Sequence, residues 1–271
     1  MTVPPSGPSG ENGASGAHGA RLSVRERLRA SVDRIRGELA RDDVDRTTRA
    51  LRVAEMSLAS ARLSSLIAVS HERFYELTTA PKQFRGLRDL AVRTAGPADA
   101  AALTRMDGTP SWRFTERFAR GDLAYIGELD GKVLAQSWFH RGPAPFDEDA
   151  PMLPRWHVPA DAFWSYHAYT LPEARASGVF VKLFQTALRD LLLERGAARV
   201  RCRVKAANAP SVALHERLGF VAIGTLSALS VPGARLLSWH GAGVERRWIE
   251  RRSGTIVMGF PPGAGPSGGP A

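Results

Sequence analysis

Two stretches of the chain have residue types and spacing suited to chemistry. In Tyr169-Thr170-Leu171-Pro172-Glu173-Ala174-Arg175-Ala176-Ser177-Gly178-Val179-Phe180, a strand-like run gives way through a tight turn to a long apolar-striped helix, with Arg175 three residues before Gly178. Backbone N–H groups at the positive end of a helix attract an anion, and a glycine lets the anion come close. Arg175 adds to that field through its backbone or its guanidinium. A phosphate-bearing cofactor suits such a turn. About thirty residues on, Asn208-Ala209-Pro210-Ser211-Val212-Ala213-Leu214-His215-Glu216-Arg217-Leu218-Gly219-Phe220 reads as loop, short helix, glycine stop and return strand. It places the titratable His215 on the short helix.

The elements that must position these stretches follow from periodicity. After Gly178, Phe180, Leu183, Phe184, Ala187, Leu188, Leu191 and Leu192 form one helical stripe, which Gly196 ends. Val200–Val204 is a strand, Ser211–Leu218 a helix and Phe220–Ser230 another strand, with a further strand-like stretch at Arg235–Trp239 and a short piece at Ile256-Val257-Met258. Upstream, Asp89–Arg93 reads as a first strand, Pro97-Ala98-Asp99 opens a helix, and Ser111 caps another. Asp130-Gly131 lies between two strand-like runs, a strong hairpin signal. A Pro-rich loop then leads to a strand at Ala162–Thr170. The fold class is therefore α/β (α+β), a single mixed sheet flanked by helices over residues 87–260. Residues 21–86 read as a helical extension: one helix from a capping box at Ser23, and a second reaching Tyr75. Residues 1–20 and 261–271 hold almost nothing to bury and are expected to be disordered.

Composition narrows the class. With 271 residues, 44% apolar and 24% charged, the chain can bury one full core with room for an appendage. No apolar run approaches the roughly 18–20 residues of a membrane-spanning helix. Met1 to Ala20 lacks the basic start and apolar core of a secretory signal. The single Cys202 excludes an intramolecular disulfide and any multi-cysteine metal site. These features fit the cytoplasm. A net charge of +10 raises nucleic acid as a partner, but the basic residues are scattered among acids and no recognition motif accompanies them. Neither a nucleic acid nor a membrane is expected as a partner.

Asn-x-x-Ser-x-x-Leu-His-x-x-Leu-Gly-Phe at 208–220, one strand and one loop after the anion turn, resembles the GNAT acetyltransferase superfamily. The hairpin at Asp130-Gly131 lies where that fold has its second and third strands, and Arg93 with Pro97-Ala98-Asp99 resembles its opening strand and helix. The resemblance covers residues 88–232. It implies a mostly antiparallel sheet, acetyl-CoA as co-substrate, no metal, and transfer of the acetyl group to a primary amine by direct attack in a ternary complex. It implies roles for residues as well. Tyr169 and Thr170 lend backbone groups to the pantetheine arm. Arg175, Ala176, Ser177, Gly178, Val179 and Phe180 surround the pyrophosphate, and Asn208 and Ser211 steady the cofactor or its loop. His215 stands where many members carry a Tyr that protonates the leaving thiolate, and is the candidate general acid. Phe180 stands where the family prefers Gly or Ala.

Such a reaction also needs a proton acceptor, because only the neutral amine attacks. His167, Tyr166, Asp161 and Glu128 lie on or near strands bordering the expected acceptor cleft, and His167 is the candidate base. Strand alternation puts Tyr166 and His167 on opposite faces. Trp138, Trp156, Trp164 and Tyr166 add aromatic groups on the same side, as core or as lining for an apolar acceptor. The contrasting reading is a non-catalytic acyl-CoA-binding sensor or scaffold, for which Phe180 and the missing Tyr speak. The N-terminal helices offer a surface for a homo-oligomer.

Overall fold

The computed structural model describes residues 29, 32–33, 35–37, 46–60, 68–146, 155–231, 234–241, 244–251 and 257–258. The expected disorder at 1–20 and 261–271 lies outside them. Of the helix expected from Ser23, residues 29, 32–33 and 35–37 are described, and they are helical.

The elements run α1 (Arg46–Ser60), β1 (Ala68–Leu77), β2 (Ala91–Ala95), a 3-10 turn at Pro97–Asp99, α2 (Ala100–Asp107), α3 (Ser111–Ala119), β3 (Leu123–Leu129) and β4 (Lys132–Arg141). Two short strands, β5 (Ala144–Phe146) and β6 (Arg155–Val158), precede β7 (Ala162–Thr170). Next come α4 (Val179–Arg189), continued by a π turn at Asp190–Glu194, then β8 (Arg199–Lys205), α5 (Ala209–Arg217), β9 (Val221–Val231), β10 (Ala234–Gly241), β11 (Val244–Arg251) and β12 (Val257–Met258). Nine strands form one sheet in the order β11-β10-β9-β1-β8-β7-β4-β3-β2. Its one parallel pair is β7 with β8, and every other neighbour is antiparallel. The hairpin forms at Asp130-Gly131, with Leu129 opposite Lys132 and both turn residues at positive φ.

Consecutive strand residues point to opposite faces, so Phe74 and Tyr75, Ile126 and Tyr125, Trp138 and Phe139, and Trp164 and Phe163 divide between two cores. On one face, Leu103, Met106 and Phe114 of α2 and α3 pack over Ile126, Trp138 and Trp164. On the other, Val179, Leu183, Phe184 and Leu188 of α4 pack with Leu218, just past α5, over Tyr125, Phe139, Phe163 and Val200. Each side chain fully buried this way stabilises the fold by about 1.5–3 kcal/mol.

β1 corrects the sequence reading. The second helix, expected to reach Tyr75, ends in the described residues at Ser60, and Ala68–Leu77 is a strand inside the sheet, between β8 and β9. Its charges disguise it. Glu72 and Glu76 face the basic alternation of β8: Arg201 donates to Glu76 Oε2 from Nε at 2.7 Å, and Arg203 lies 3.2 Å from Glu72. Glu72 is buried and Glu76 half-buried against partners that lie more than a hundred positions away. The sequence reading also passed over β11, whose Glu245-Arg246-Arg247 core carries little strand signal, and the short β5 and β6 inside the Pro-rich loop.

Candidate active site

β7 and β8 run together only from Ala162 opposite Arg199 to Ser165 opposite Cys202. Beyond that point, residues 166–170 of β7 have β4 on one side and no pairing with β8 on the other. The C-terminal half of β7 thus turns backbone donors and acceptors toward an opening in the sheet, and such groups seek a partner.

At the head of this free edge β7 carries a bulge. Trp138 pairs with Tyr166, whereas Gln136 pairs with Tyr169, so two residues of β7 oppose one of β4. His167 takes up the extra residue at φ +40. The bulge cancels the alternation expected at this point, and Tyr166 and His167 reach the same helix. The Arg117 guanidinium of α3 lies over the Tyr166 ring at 5.2 Å, and the Phe114 ring of α3 is 6.1 Å from His167.

His167 Nε2 is 2.7 Å from Oδ2 of Asp107, the last residue of α2. The same oxygen accepts from Gln136 Nε2 at 2.9 Å, and Oδ1 accepts from the Thr109 amide at 2.8 Å. Trp138 Nε1 donates in turn to Gln136 Oε1 at 2.9 Å, which fixes the amide's orientation. Burial works to raise the Asp107 pKa, but the hydrogen bonds from His167 and the Thr109 amide outweigh it and hold the carboxyl below the usual carboxylate value. An ionised Asp107 can only accept, so the shared proton resides on His167 Nε2. Nδ1 is then the basic nitrogen, and among the described residues it has no hydrogen-bond partner. The His167 side chain keeps 25% of its surface exposed while Asp107 keeps 4%. This is a histidine with a buried orienting carboxylate behind it and an open lone pair in front.

Tyr166 is committed elsewhere. Its hydroxyl donates to Asp122 Oδ2 at 2.5 Å, where Arg120 Nη2 also donates at 2.5 Å, and His140 Nδ1 meets Oδ1 at 2.6 Å. Burial first, and the Asp122 charge second, push the Tyr166 phenol far above its usual range, so it stays protonated and cannot serve as a base. Asp161 pairs with Arg199 at 2.9 Å, and Glu128 with Arg93 at 3.2 Å near Asp99, both away from the free edge of β7. Trp138, Trp164 and Tyr166 are core residues, and the Trp156 side chain lies outside the description.

Residues 175–178 form a turn ahead of α4. Ala176 and Gly178 both lie at positive φ, +59 and +87, and Gly178 is the N-cap of α4 with no side chain capping it. The first intrahelical bond is Lys182 N–H to Gly178 O at 3.0 Å, so the amides of the opening turn before it have no helix carbonyl to bond, the Val179 amide reaching Ser177 Oγ at 3.4 Å. Successive amides in such a turn form an anion-binding concavity. Ser177 Oγ donates to Ala174 O at 2.7 Å, bracing the turn from within. Arg175 Nε donates to Thr170 O at 3.3 Å and its guanidinium lies 6.0 Å from the Tyr169 ring, which joins the turn to the end of β7. Phe180, the departure noted in the sequence, stacks on Phe184 at 5.2 Å, so its ring turns into the helix stripe and away from the amides.

Residues 99–220 match the model of the acetyltransferase (GNAT) family. The chain carries a GNAT acetyltransferase domain. Among solved structures, a putative GNAT acetyltransferase from Novosphingobium aromaticivorans DSM 12444 is 20% identical, with 61% of this chain and 66% of that one covered and a TM-score of 0.44. A GCN5-related N-acetyltransferase from Kribbella flavida is 15% identical, with 65% and 64% covered and a TM-score of 0.45. The ribosomal-protein-S18-alanine N-acetyltransferase from Escherichia coli is 20% identical, with 49% and 77% covered and a TM-score of 0.39. This chain thus spans just under two thirds of the first two of these chains. No curated protein matches it in sequence.

Within the GNAT domain, the second motif does structural work. Asn208 Oδ1 accepts from the Ser211 amide at 3.3 Å and caps α5. His215 is 7% exposed and packs among aromatic rings, with Phe220 at 5.0 Å, Phe184 at 5.4 Å and Tyr75 at 5.9 Å. Its Nδ1 donates to Ser211 O at 2.7 Å. Burial lowers its pKa, against the raising effect of that carbonyl, which favours the neutral ring. A neutral imidazole in an aromatic box is a packing group with little acid to give. The residue that sequence reasoning missed is Asp107. Asp107-Gly108 looks like a helix end turned to solvent, and only the folded chain brings it to His167.

Proposed function

We propose that this protein is an N-acetyltransferase that moves the acetyl group of acetyl-CoA onto a primary amine by direct attack in a ternary complex. The observation that carries this reading is the bulge at His167, which sets an imidazole backed by Asp107 at the point where β7 parts from β8. Support comes from the GNAT domain and from the amides of the Ala176–Val181 turn, which suit a pyrophosphate. Ala176, Ser177, Gly178, Val179 and Phe180 hold that pyrophosphate through the backbone, with Arg175 beside them. Tyr169 and Thr170 offer the pantetheine arm the free edge of β7.

His167 Nδ1 takes a proton from the ammonium form of the acceptor. The neutral amine attacks the thioester carbonyl, a C–N bond forms, and the carbonyl electrons move to oxygen. Backbone N–H groups at the bulged, unpaired end of β7 stabilise that oxyanion. As the carbonyl re-forms, the C–S bond breaks and CoA leaves as thiolate. An imidazolium is a stronger acid than a thiol, so the proton taken from the amine can pass on to the sulfur. The second proton on nitrogen goes to solvent. His215 takes no part in this scheme. The opposing reading, an acyl-CoA-binding protein without transfer, is favoured by the burial of His215, which leaves the expected acid position without an exposed acidic group. Thiol release from acetyl-CoA against a panel of primary amines separates the two: amine-dependent release supports the transferase, and tight CoA binding without release supports the sensor.

A further inference from the structure

β1 and β2 follow one another in sequence but stand five strand steps apart in the sheet, about 24 Å at the usual spacing. Residues 78–90 must therefore cross a whole face, and they do so along α4. Arg189 Nη1 donates to Pro81 O at 3.0 Å, and Lys182 Nζ donates to Leu87 O at 2.5 Å and Leu90 O at 2.8 Å. Between these ties, the Phe84 ring reaches the anion turn itself. A Cβ at Gly178 would sit 3.4 Å from Phe84 Cζ and 3.7 Å from Leu87 Cδ1. This strap lies outside residues 99–220, the part matched by the family model.

The strap is basic. Lys82, Arg85 and Arg88 are all exposed, and none forms an ion pair or hydrogen bond with another described residue. They flank Phe84 on both sides, and no acid lies between residues 78 and 88. Asp89, directly after Arg88, is the one acid of the strap, so the three cations leave it a net charge of +2 that attracts an anion. We propose that residues 78–90 form a cofactor clamp, in which Phe84 seats the strap on the Gly178 turn and Lys82, Arg85 and Arg88 bind the 3′-phosphorylated nucleotide end of coenzyme A. This rests on the proposed use of acetyl-CoA. The pyrophosphate occupies the helix amides, and the additional 3′-phosphate is the group left for side-chain cations, which bind phosphate by charge-assisted hydrogen bonds.

The test measures binding by titration calorimetry for coenzyme A and for 3′-dephospho-coenzyme A. It uses the full chain, its Lys82→Gln/Arg85→Gln/Arg88→Gln variant and its Phe84→Ala variant. The parent protein should prefer coenzyme A by about tenfold or more, and the triple variant should retain dephospho-coenzyme A binding while its preference falls to about twofold. Phe84→Ala should also lose preference, because an unseated strap no longer holds its charges over the turn. The triple substitution falls on exposed side chains, so its unliganded melting temperature should match the parent. An equal preference in the parent and the triple variant, or no preference in the parent, would overturn the clamp while leaving the transferase reading intact. Binding of neither ligand by the parent would overturn the use of acetyl-CoA, and the clamp with it.

Discussion

Asp107 and His167 are sixty positions apart in sequence and 2.7 Å apart in the fold, the first closing a helix and the second standing out of a bulged strand. The carboxylate fixes which nitrogen carries the proton and so which one is free. In this account Asp107 acts through His167 as a positioning residue. Asp107→Asn presents either an oxygen or an amide N–H to Nε2, and so loses the fixed tautomer. We expect turnover to fall about 10–100-fold with little change in the affinity for CoA. Comparing kcat with the dissociation constant for CoA checks this, and an unchanged kcat would remove Asp107 from the mechanism.

His215 gives a contrasting prediction. His215→Phe keeps an aromatic ring among Tyr75, Phe184 and Phe220 and gives up one hydrogen bond to Ser211 O. Amine-dependent turnover should stay within about threefold, whereas loss of a general acid would lower it about 100-fold or more.

The same residue sets a pH dependence of stability. Burial holds the folded pKa of His215 below its ordinary 6.5. The unfolded chain therefore binds more protons as the pH falls through about 6.5, and folding loses stability toward the lower folded value. The melting temperature should drop between about pH 7.5 and pH 5.5, and drop less in His215→Phe. Equal drops in the two proteins would contradict the neutral, buried imidazole.

The buried charges of the inserted strand make a prediction about folding. Glu76 receives Arg201 at 2.7 Å and lies 3.6 Å from Arg199, and Arg201 is buried. Glu76→Ala leaves these cations without that carboxylate, and chemical denaturation should show a loss of about 3 kcal/mol. A loss under about 0.5 kcal/mol would mean that β1 is not packed as an integral strand.

What the sequence disclosed and what it hid follow one physical line. Local chemistry was legible: the Asp130-Gly131 hairpin, the apolar stripe of α4 and the turn that opens it at Gly178. Long-range pairing was not. Arg203 and Arg201, the partners of Glu72 and Glu76, arrive from β8 more than a hundred positions away, so nothing local marked β1 as a strand. Likewise, alternation placed Tyr166 and His167 on opposite faces because one extra residue in a strand leaves no mark on a single sequence. Asp107 went unnoticed for the same reason, since its significance lies wholly in its partner.

The cofactor turn can be tested without any acceptor. Gly178 stands at φ +87, where a β-branched residue is strained by about 1–2 kcal/mol, and a side chain there would also press on Phe84. Gly178→Val should weaken CoA binding at least tenfold and lower the melting temperature of the free protein by a few degrees. Unchanged affinity would place the pyrophosphate elsewhere.

Thiol release from acetyl-CoA decides whether the protein is a transferase with His167 as its proton acceptor. Release should be measured with a panel of primary amines across pH 6–10, in the parent protein and in His167→Gln. Release in the parent should depend on the amine and rise with pH. His167→Gln should bind CoA normally, release thiol about 100-fold or more slowly, and regain rate only at high pH, where the amine loses its proton unaided. Equal release by both proteins at every pH would contradict the role given to His167, and CoA binding without release by either would contradict the transferase.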